Sequence, residues 1–300
     1  MEELAPDAWL INFTNPSGII TEAVLNYSNV KAMGLCNVPI GAKKDIARIM
    51  NVDFSRVGAS FMGLNHMNYI YSATVDGDEV LPQILEMFNN PEPELREKLE
   101  SITDTLWPMP FLHSLGMLTS PYHRYYYRNR MMLQEEKEHM AEKGSRAMQV
   151  KAIEKDLFEK YKNPDLCEKP KELEQRGGAY YSEAALSLID AIYGDKGEIH
   201  TVNLQNRGTI SNLSYNAVIE ANAIIGAGGA TPLVIGEMPT RVAGLVNEVK
   251  AYEQLAVKAA VEKRYDVALT AMLANPFIND YDVGKHFLVY TSPSPRYSTS

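Results

Sequence analysis

Residues 8–13 form a short apolar run that stops at Thr14-Asn15-Pro16-Ser17-Gly18, and residues 19–27 then carry apolar side chains at helical spacing. The order repeats at once. Residues 30–35 are apolar, Cys36 to Gly41 is rich in turn formers, and residues 42–50 are again helical in pattern. Two strand–loop–helix units predict an α/β start to the chain. In open α/β sheets ligands gather beyond the C-terminal ends of the strands, which is where Asn15 and Cys36 fall.

The pattern changes after residue 56. Residues 57–80 alternate apolar and polar, with Asp76-Gly77-Asp78 as a turn signal, and predict antiparallel hairpin strands rather than a third βαβ unit. Residues 122–161 have few breakers and predict one long or two consecutive helices, with the charge run over 135–143 as a solvated face. A helix is expected over 184–193, a strand over 200–204, an apolar run over 219–225 and a helical stretch over 241–273. The predicted class is therefore α/β followed by α+β. The last ten residues, TSPSPRYSTS, show no apolar period and are expected to form an irregular tail.

Composition narrows the partners. The 300 residues carry a formal net charge of −9 with the basic residues scattered, which argues against a nucleic-acid surface and for a small-molecule partner. No run reaches the length of about 18 apolar residues that a membrane helix needs, and the first ten residues do not read as a secretion signal, so a cytoplasmic location is expected. Two cysteines, Cys36 and Cys167, are too few for a disulfide framework.

Three groups have chemical potential. Cys36 and His66 each lie at the end of a predicted element, and a thiolate with an imidazole can share a transition metal while leaving positions for substrate oxygens. The plainer alternative is a buried small hydrophobe and a satisfied structural histidine. Asn15 before Pro16 shapes a turn or faces a ligand. Tyr122, Tyr125, Tyr126 and Tyr127 read first as a core face, although a tyrosine near a cation can serve as a base because the cation favours its phenolate. No G-x-G-x-x-G follows a predicted strand, and Gly226-Ala227-Gly228-Gly229 lacks that spacing.

The segments Asn12-Phe13-Thr14-Asn15-Pro16-Ser17-Gly18, Gly34-Leu35-Cys36-Asn37-Val38-Pro39-Ile40-Gly41, Gly63-Leu64-Asn65-His66 and Pro121-Tyr122-His123-Arg124-Tyr125-Tyr126 stand in the order seen in glycoside hydrolase family four. The likeness continues through Arg146, Arg176-Gly177-Gly178-Ala179-Tyr180-Tyr181, Asn203-Leu204-Gln205-Asn206-Arg207-Gly208 and Ala274-Asn275-Pro276. The resemblance implies three parts: a C-terminal remnant of a Rossmann-like, lactate/malate dehydrogenase-like NAD domain over residues 1–40, an α+β catalytic domain over 41–285 and an irregular tail over 286–300.

The implied activity is hydrolysis of 6-phospho-β-glucosides such as cellobiose 6-phosphate, outside the two-carboxylate scheme of most glycosidases. In that chemistry NAD oxidises the sugar at C3, a base removes the C2 proton, the aglycone is eliminated, water adds and C3 is reduced again. Carried over by position, Cys36 and His66 match the ligands of Mn2+ or a similar divalent metal. Tyr122 matches the C2 base, Asn15 a sugar contact and Arg146 a phosphate-binding arginine. Asn37 stands where α-specific members tend to have Asp, as in β-specific members. It is expected to make a substrate contact, because an amide cannot donate a proton as a carboxylic acid does. A homodimer or homotetramer is also implied.

The Gly-rich loop that cradles the NAD pyrophosphate in the family is not among these residues, so the resemblance implies a chain short at its N-terminus, with impaired NAD binding and turnover. Two alternatives are a non-catalytic fragment binding metal or sugar phosphate, and a dehydrogenase relative acting on 2-hydroxy acids. Cys36 followed by Asn37 speaks against the second.

Overall fold

The computed structural model describes residues 1–173 and 180–291. Strand β1 (Trp9–Asn12) runs parallel to β2 (Lys31–Gly34), with Trp9 opposite Lys31 and Asn12 opposite Gly34, and α1 (Ser17–Tyr27) crosses between them. Parallel neighbours need such a crossover, and α1 provides it with a buried face of Ser17, Gly18, Thr21 and Glu22. The close approach of helix to strand depends on Gly34: a Cβ there would lie 2.4 Å from Thr21 Oγ1 and 2.8 Å from the Asn203 Cβ. Helix α2 (Asn37–Met50) follows β2 and begins five residues earlier than periodicity suggested. Its first turn tolerates Pro39 because the earliest helical N–H groups have no partner within the helix.

An antiparallel sheet follows. Strands β3 (Val57–Leu64) and β4 (Met67–Val75) form a hairpin, β5 (Asp78–Glu79) adds to β4 after the Asp76-Gly77 turn, and β6 (Leu118–Thr119) pairs on β4. Between β5 and β6 lie α3 (Leu81–Glu86), α4 (Pro93–Thr103) and α5 (Met109–Leu115). The alternation over 57–80 has a two-sided cause. Met62, Leu64, Met67 and Tyr69 enter one hydrophobic core, whereas Phe61, Ile70 and Ala73 enter a second one with Ile46, Ile84, Leu99 and Trp107.

Residues 122–161 fold as three helices rather than one or two: α6 (His123–Tyr127), α7 (Asn129–Lys143) and α8 (Arg146–Tyr161). Gly144, at φ 74, ends α7, and the Ser145 side chain caps α8 by accepting from the Met148 N–H. Helix α9 (Tyr181–Tyr193) leads into β7 (Glu198–Gln205), β8 (Val218–Gly226) and β9 (Gly229–Pro232). Gly226 pairs with Gly229, so the Gly-rich stretch is a tight hairpin turn. Helices α10 (Thr240–Glu262), α11 (Tyr265–Ala274) and α12 (Tyr281–Thr291) complete the order.

The large sheet runs β1-β2-β7-β8-β9, with β7 joining β2 antiparallel at Asn203 and Gly34. One sheet thus joins the first 40 residues to the rest. A boundary at 40/41 falls inside α2, whose hydrogen bonding and buried face hold it together as a unit. Residues 286–291, expected in the irregular tail, are the last turns of α12, where apolar residues recur at helical spacing. Residues 292–300 lie outside the described residues. Among the described residues no helix is long and apolar enough to cross a membrane.

Candidate active site

Five chain segments converge at the C-terminal ends of β1 and β2. In the β1–α1 loop, the Asn12 side chain accepts from the Thr14 N–H at 2.9 Å and donates to Thr21 Oγ1 at 3.1 Å, shaping the stretch that presents Asn15. The Asn15–Pro16 peptide is cis. Cys36 is the N-cap of α2, its Sγ accepting from the Val38 N–H at 3.5 Å, and Asn37 Oδ1 lies 3.9 Å from that sulfur. A helix N-terminus favours a thiolate, yet burial prevails and pushes the Cys36 thiol up to about 12, with the nearby Glu220 carboxylate adding to the rise.

His66 occupies the two-residue turn between β3 and β4 in the left-handed region, φ 64, a conformation in which His, Asn and Asp are enriched. Gly63 makes this turn possible, since at φ 131 a Cβ would stand 2.2 Å from the Met67 carbonyl oxygen. Burial holds His66 down at about 4, so its imidazole is neutral and a ring nitrogen keeps the lone pair that a metal requires. The ring stacks on Tyr122, centroids 3.9 Å apart and planes 20° from parallel. Ser120 Oγ donates to the His66 carbonyl at 3.2 Å while the Ser120 N–H donates to His123 Nδ1 at 3.0 Å, so the turn and the start of α6 are tied together.

Tyr122 is half-buried, and its phenol is pushed up to about 12 by burial, then by the negative charges of Cys36, Tyr181, Tyr125 and Glu220. Tyr181, at the start of α9, packs edge-on against Phe13 at 4.9 Å and hydrogen-bonds Asn15, and its phenol too is raised, by burial and then by Cys36 and Glu220. Glu220 makes ionisation of the thiol and of both phenols harder, and the thiol does the same to the two phenols. Among the described residues no lysine or arginine is a cause of the shift of any of the four.

Such a donor set fits a divalent cation, which would reverse each of these shifts at once. Among the described residues no group of three or more His, Cys, Asp or Glu forms a cage, and Cys36 and His66 are the two potential ligands the site offers.

The structure therefore brings Asn15, Cys36, Asn37, His66 and Tyr122 together. Arg146 is exposed at the first position of α8. Of the Arg176 to Tyr181 motif, residues 176–179 lie outside the described residues. Sequence reasoning gave no role to Asn65, Asn68, Asn203, Tyr181 or Glu220. Glu220 alone left a signal, a charged residue inside the apolar run of β8.

Residues 61–278 match the Family 4 glycosyl hydrolase C-terminal domain profile, and residues 1–52 match the Family 4 glycosyl hydrolase profile. The chain is 44% identical over 289 residues to a probable 6-phospho-β-glucosidase of Bacillus subtilis, covering 96% of this chain and 65% of the relative. It is 38% identical to the 6-phospho-β-glucosidase of Escherichia coli, covering 93% and 62%. A solved 6-phospho-β-glucosidase of Thermotoga maritima, in a form with manganese, NAD+ and glucose-6-phosphate, superposes with a TM-score of 0.82 at 35% identity, covering 95% of this chain and 65% of that one. The chain thus spans somewhat under two thirds of these relatives' length. Its fold is theirs over that span: a partial Rossmann-like unit continuing into an α+β domain.

Proposed function

The chain belongs to glycosyl hydrolase family 4, and on that premise we propose that it carries the metal-holding and sugar-holding part of an enzyme that hydrolyses 6-phospho-β-glucosides. The observation that carries this reading is the convergence of Cys36, His66 and Tyr122 from three separate segments, with His66 stacked on Tyr122 and the charge of Cys36 reaching the same phenol.

When bound, NAD+ supplies a reversible hydride acceptor for the sugar C3, and a divalent metal such as Mn2+ supplies a Lewis acid beside the O2 and O3 oxygens. Cys36 Sγ and a His66 ring nitrogen hold the metal. Asn15 and Tyr181, already hydrogen-bonded to each other, stand ready to exchange that bond for sugar hydroxyls. Tyr122 takes the C2 proton once C3 is a carbonyl, the C–H electron pair moving to form the C1–C2 double bond as the glycosidic oxygen leaves. The same phenol returns a proton to C2 when water adds at C1.

Asn37 beside the thiol contacts substrate through its amide and has no acidic proton to transfer, so protonation of the leaving oxygen falls to water or another group. Arg146 grips the 6-phosphate through a planar, charge-assisted fork. Among the described residues no Gly-rich strand–loop–helix occurs, and pyrophosphate binding is assigned to none of them.

The test is manganese stoichiometry by electron paramagnetic resonance, with glucose 6-phosphate present, for the chain and for Cys36→Ser. One bound Mn2+ per chain, lost in the variant, supports the reading. Unchanged stoichiometry in Cys36→Ser refutes it.

A further inference from the structure

Glu220 sits in the middle of β8 with 1% of its surface exposed. A carboxylate is buried at a large energetic penalty unless it is hydrogen-bonded, and here three side-chain amides converge on it. Asn65 Nδ2 and Asn203 Nδ2 donate to Oε1 at 3.1 and 3.0 Å, and Asn68 Nδ2 donates to Oε2. The donors come from the β3–β4 turn, from β7 and from β4.

The orientation of Asn65 is not free. Its Oδ1 accepts the Ser17 N–H at 3.1 Å, so its NH2 group must face Glu220 and the Cys36 sulfur, to which it also hydrogen-bonds. Asn65 immediately precedes His66, and Asn68 follows two residues later. The carboxylate therefore holds both sides of the turn that carries one proposed ligand, and through Asn65 it touches the other.

Its charge is out of balance with the rest of the interior. The neighbouring buried acids Glu22 and Glu253 share Lys250, at 2.7 and 2.5 Å from its Nζ. Among the described residues Glu220 is hydrogen-bonded by amides only, and the charged group that acts on it is another acid, Glu253. A packing role would be met by an apolar or neutral side chain. Three N–H donors on one acceptor select an anion, and that anion is favourable in this pocket when a cation shares it.

We propose that Glu220 is a positioning carboxylate of the metal site, holding the His66 turn and the Cys36 sulfur in place through Asn65 and adding negative charge that raises affinity for a divalent cation. The inference rests on the reading of Cys36 and His66 as ligands. Outer carboxylates of this kind orient ligands and strengthen metal binding in other metalloproteins.

The experiment measures Mn2+ affinity of the full 300-residue chain by titration with glucose 6-phosphate present, alongside the thermal midpoint in a chelator. Glu220→Gln keeps shape and removes charge, and it is expected to weaken Mn2+ binding about 10- to 100-fold. Glu220→Asp keeps the charge and draws it back one methylene from Asn65, and it is expected to give a smaller loss with a cooperative fold retained. If Glu220→Gln does not fold, Glu220→Asp decides. Wild-type affinity in whichever variant is folded overturns the proposal, and a wild-type chain that binds no Mn2+ overturns instead the reading of the ligands.

Discussion

Replacing Gly63 by Ala tests whether the geometry of the β3–β4 turn sets the site. The added Cβ would sit 2.2 Å from the Met67 carbonyl oxygen and 3.0 Å from the Asn68 Cα, at a backbone φ of 131 that L-residues rarely adopt. Holding a non-glycine residue in such a conformation costs about 1–3 kcal/mol. Forcing an extra methyl into a filled space costs typically about 1–3 kcal/mol more. Both obstacles are backbone atoms, which cannot rotate away, so the two add to about 2–6 kcal/mol, a large fraction of a typical domain's roughly 5–15 kcal/mol.

Gly77→Ala is the matched control, since Gly77 also has positive φ, 91, but nothing lies within 4 Å of its Cβ position. It should lose only the conformational part, about 1–3 kcal/mol. Urea denaturation of both variants separates strain from clash. Mn2+ titration of the folded Gly63→Ala chain then reads the site, because a turn that opens to relieve the clash carries His66 off Tyr122. At least a tenfold loss of affinity is expected, on the scale seen when a ligand's supporting contacts are removed. Gly63→Ala no less stable than Gly77→Ala, with Mn2+ affinity intact, would refute the argument.

Tyr122→Phe, in a protein to which the dinucleotide-binding half has been supplied, should lower turnover of a chromogenic 6-phospho-β-glucoside about 10²- to 10⁴-fold while Mn2+ stoichiometry stays at the wild-type value; retained turnover would remove Tyr122 from the base role. Arg146→Ala should abolish the preference for cellobiose 6-phosphate over cellobiose in calorimetry, and a preference that survives would move the phosphate contact to another residue.

Stability should fall as pH drops from about 6.5 towards 4, because burial lowers His66 to about 4 and His123 to about 3 in the folded chain, whereas both bind protons near 6.5 when unfolded. Each histidine contributes roughly 3 kcal/mol to that fall over this window. Glu220, raised to about 7, acts in the opposite sense, its contribution of about 3 kcal/mol growing as pH falls from 7 to 4.5. A urea midpoint that stays level or rises between pH 6.5 and 4 would contradict the balance.

Local pattern carried a good part of this protein. The two strand–loop–helix units, the hairpin after residue 56 and the placing of Asn15 and Cys36 at strand ends all follow from periodicity and turn residues, because a strand or helix must present one apolar face whatever it packs against. Element boundaries followed less well. The start of α2 at Asn37 depends on Cys36 acting as its cap, and the division of residues 122–161 into three helices depends on Arg128, which bonds Thr105 and Leu106, and on the local break at Gly144 and Ser145.

Tertiary structure alone decided the rest. The joining of β7 to β2, which makes one sheet of both parts of the chain, rests on a single residue pair at Gly34 and Asn203. The bond from Asn65 to Glu220 spans 155 residues, and the stacking of His66 on Tyr122 links a turn to a helix start. Periodicity records which face of an element avoids water and is silent about its partner. A buried carboxylate among asparagines becomes intelligible only when the donors that compensate its burial are brought to it in space.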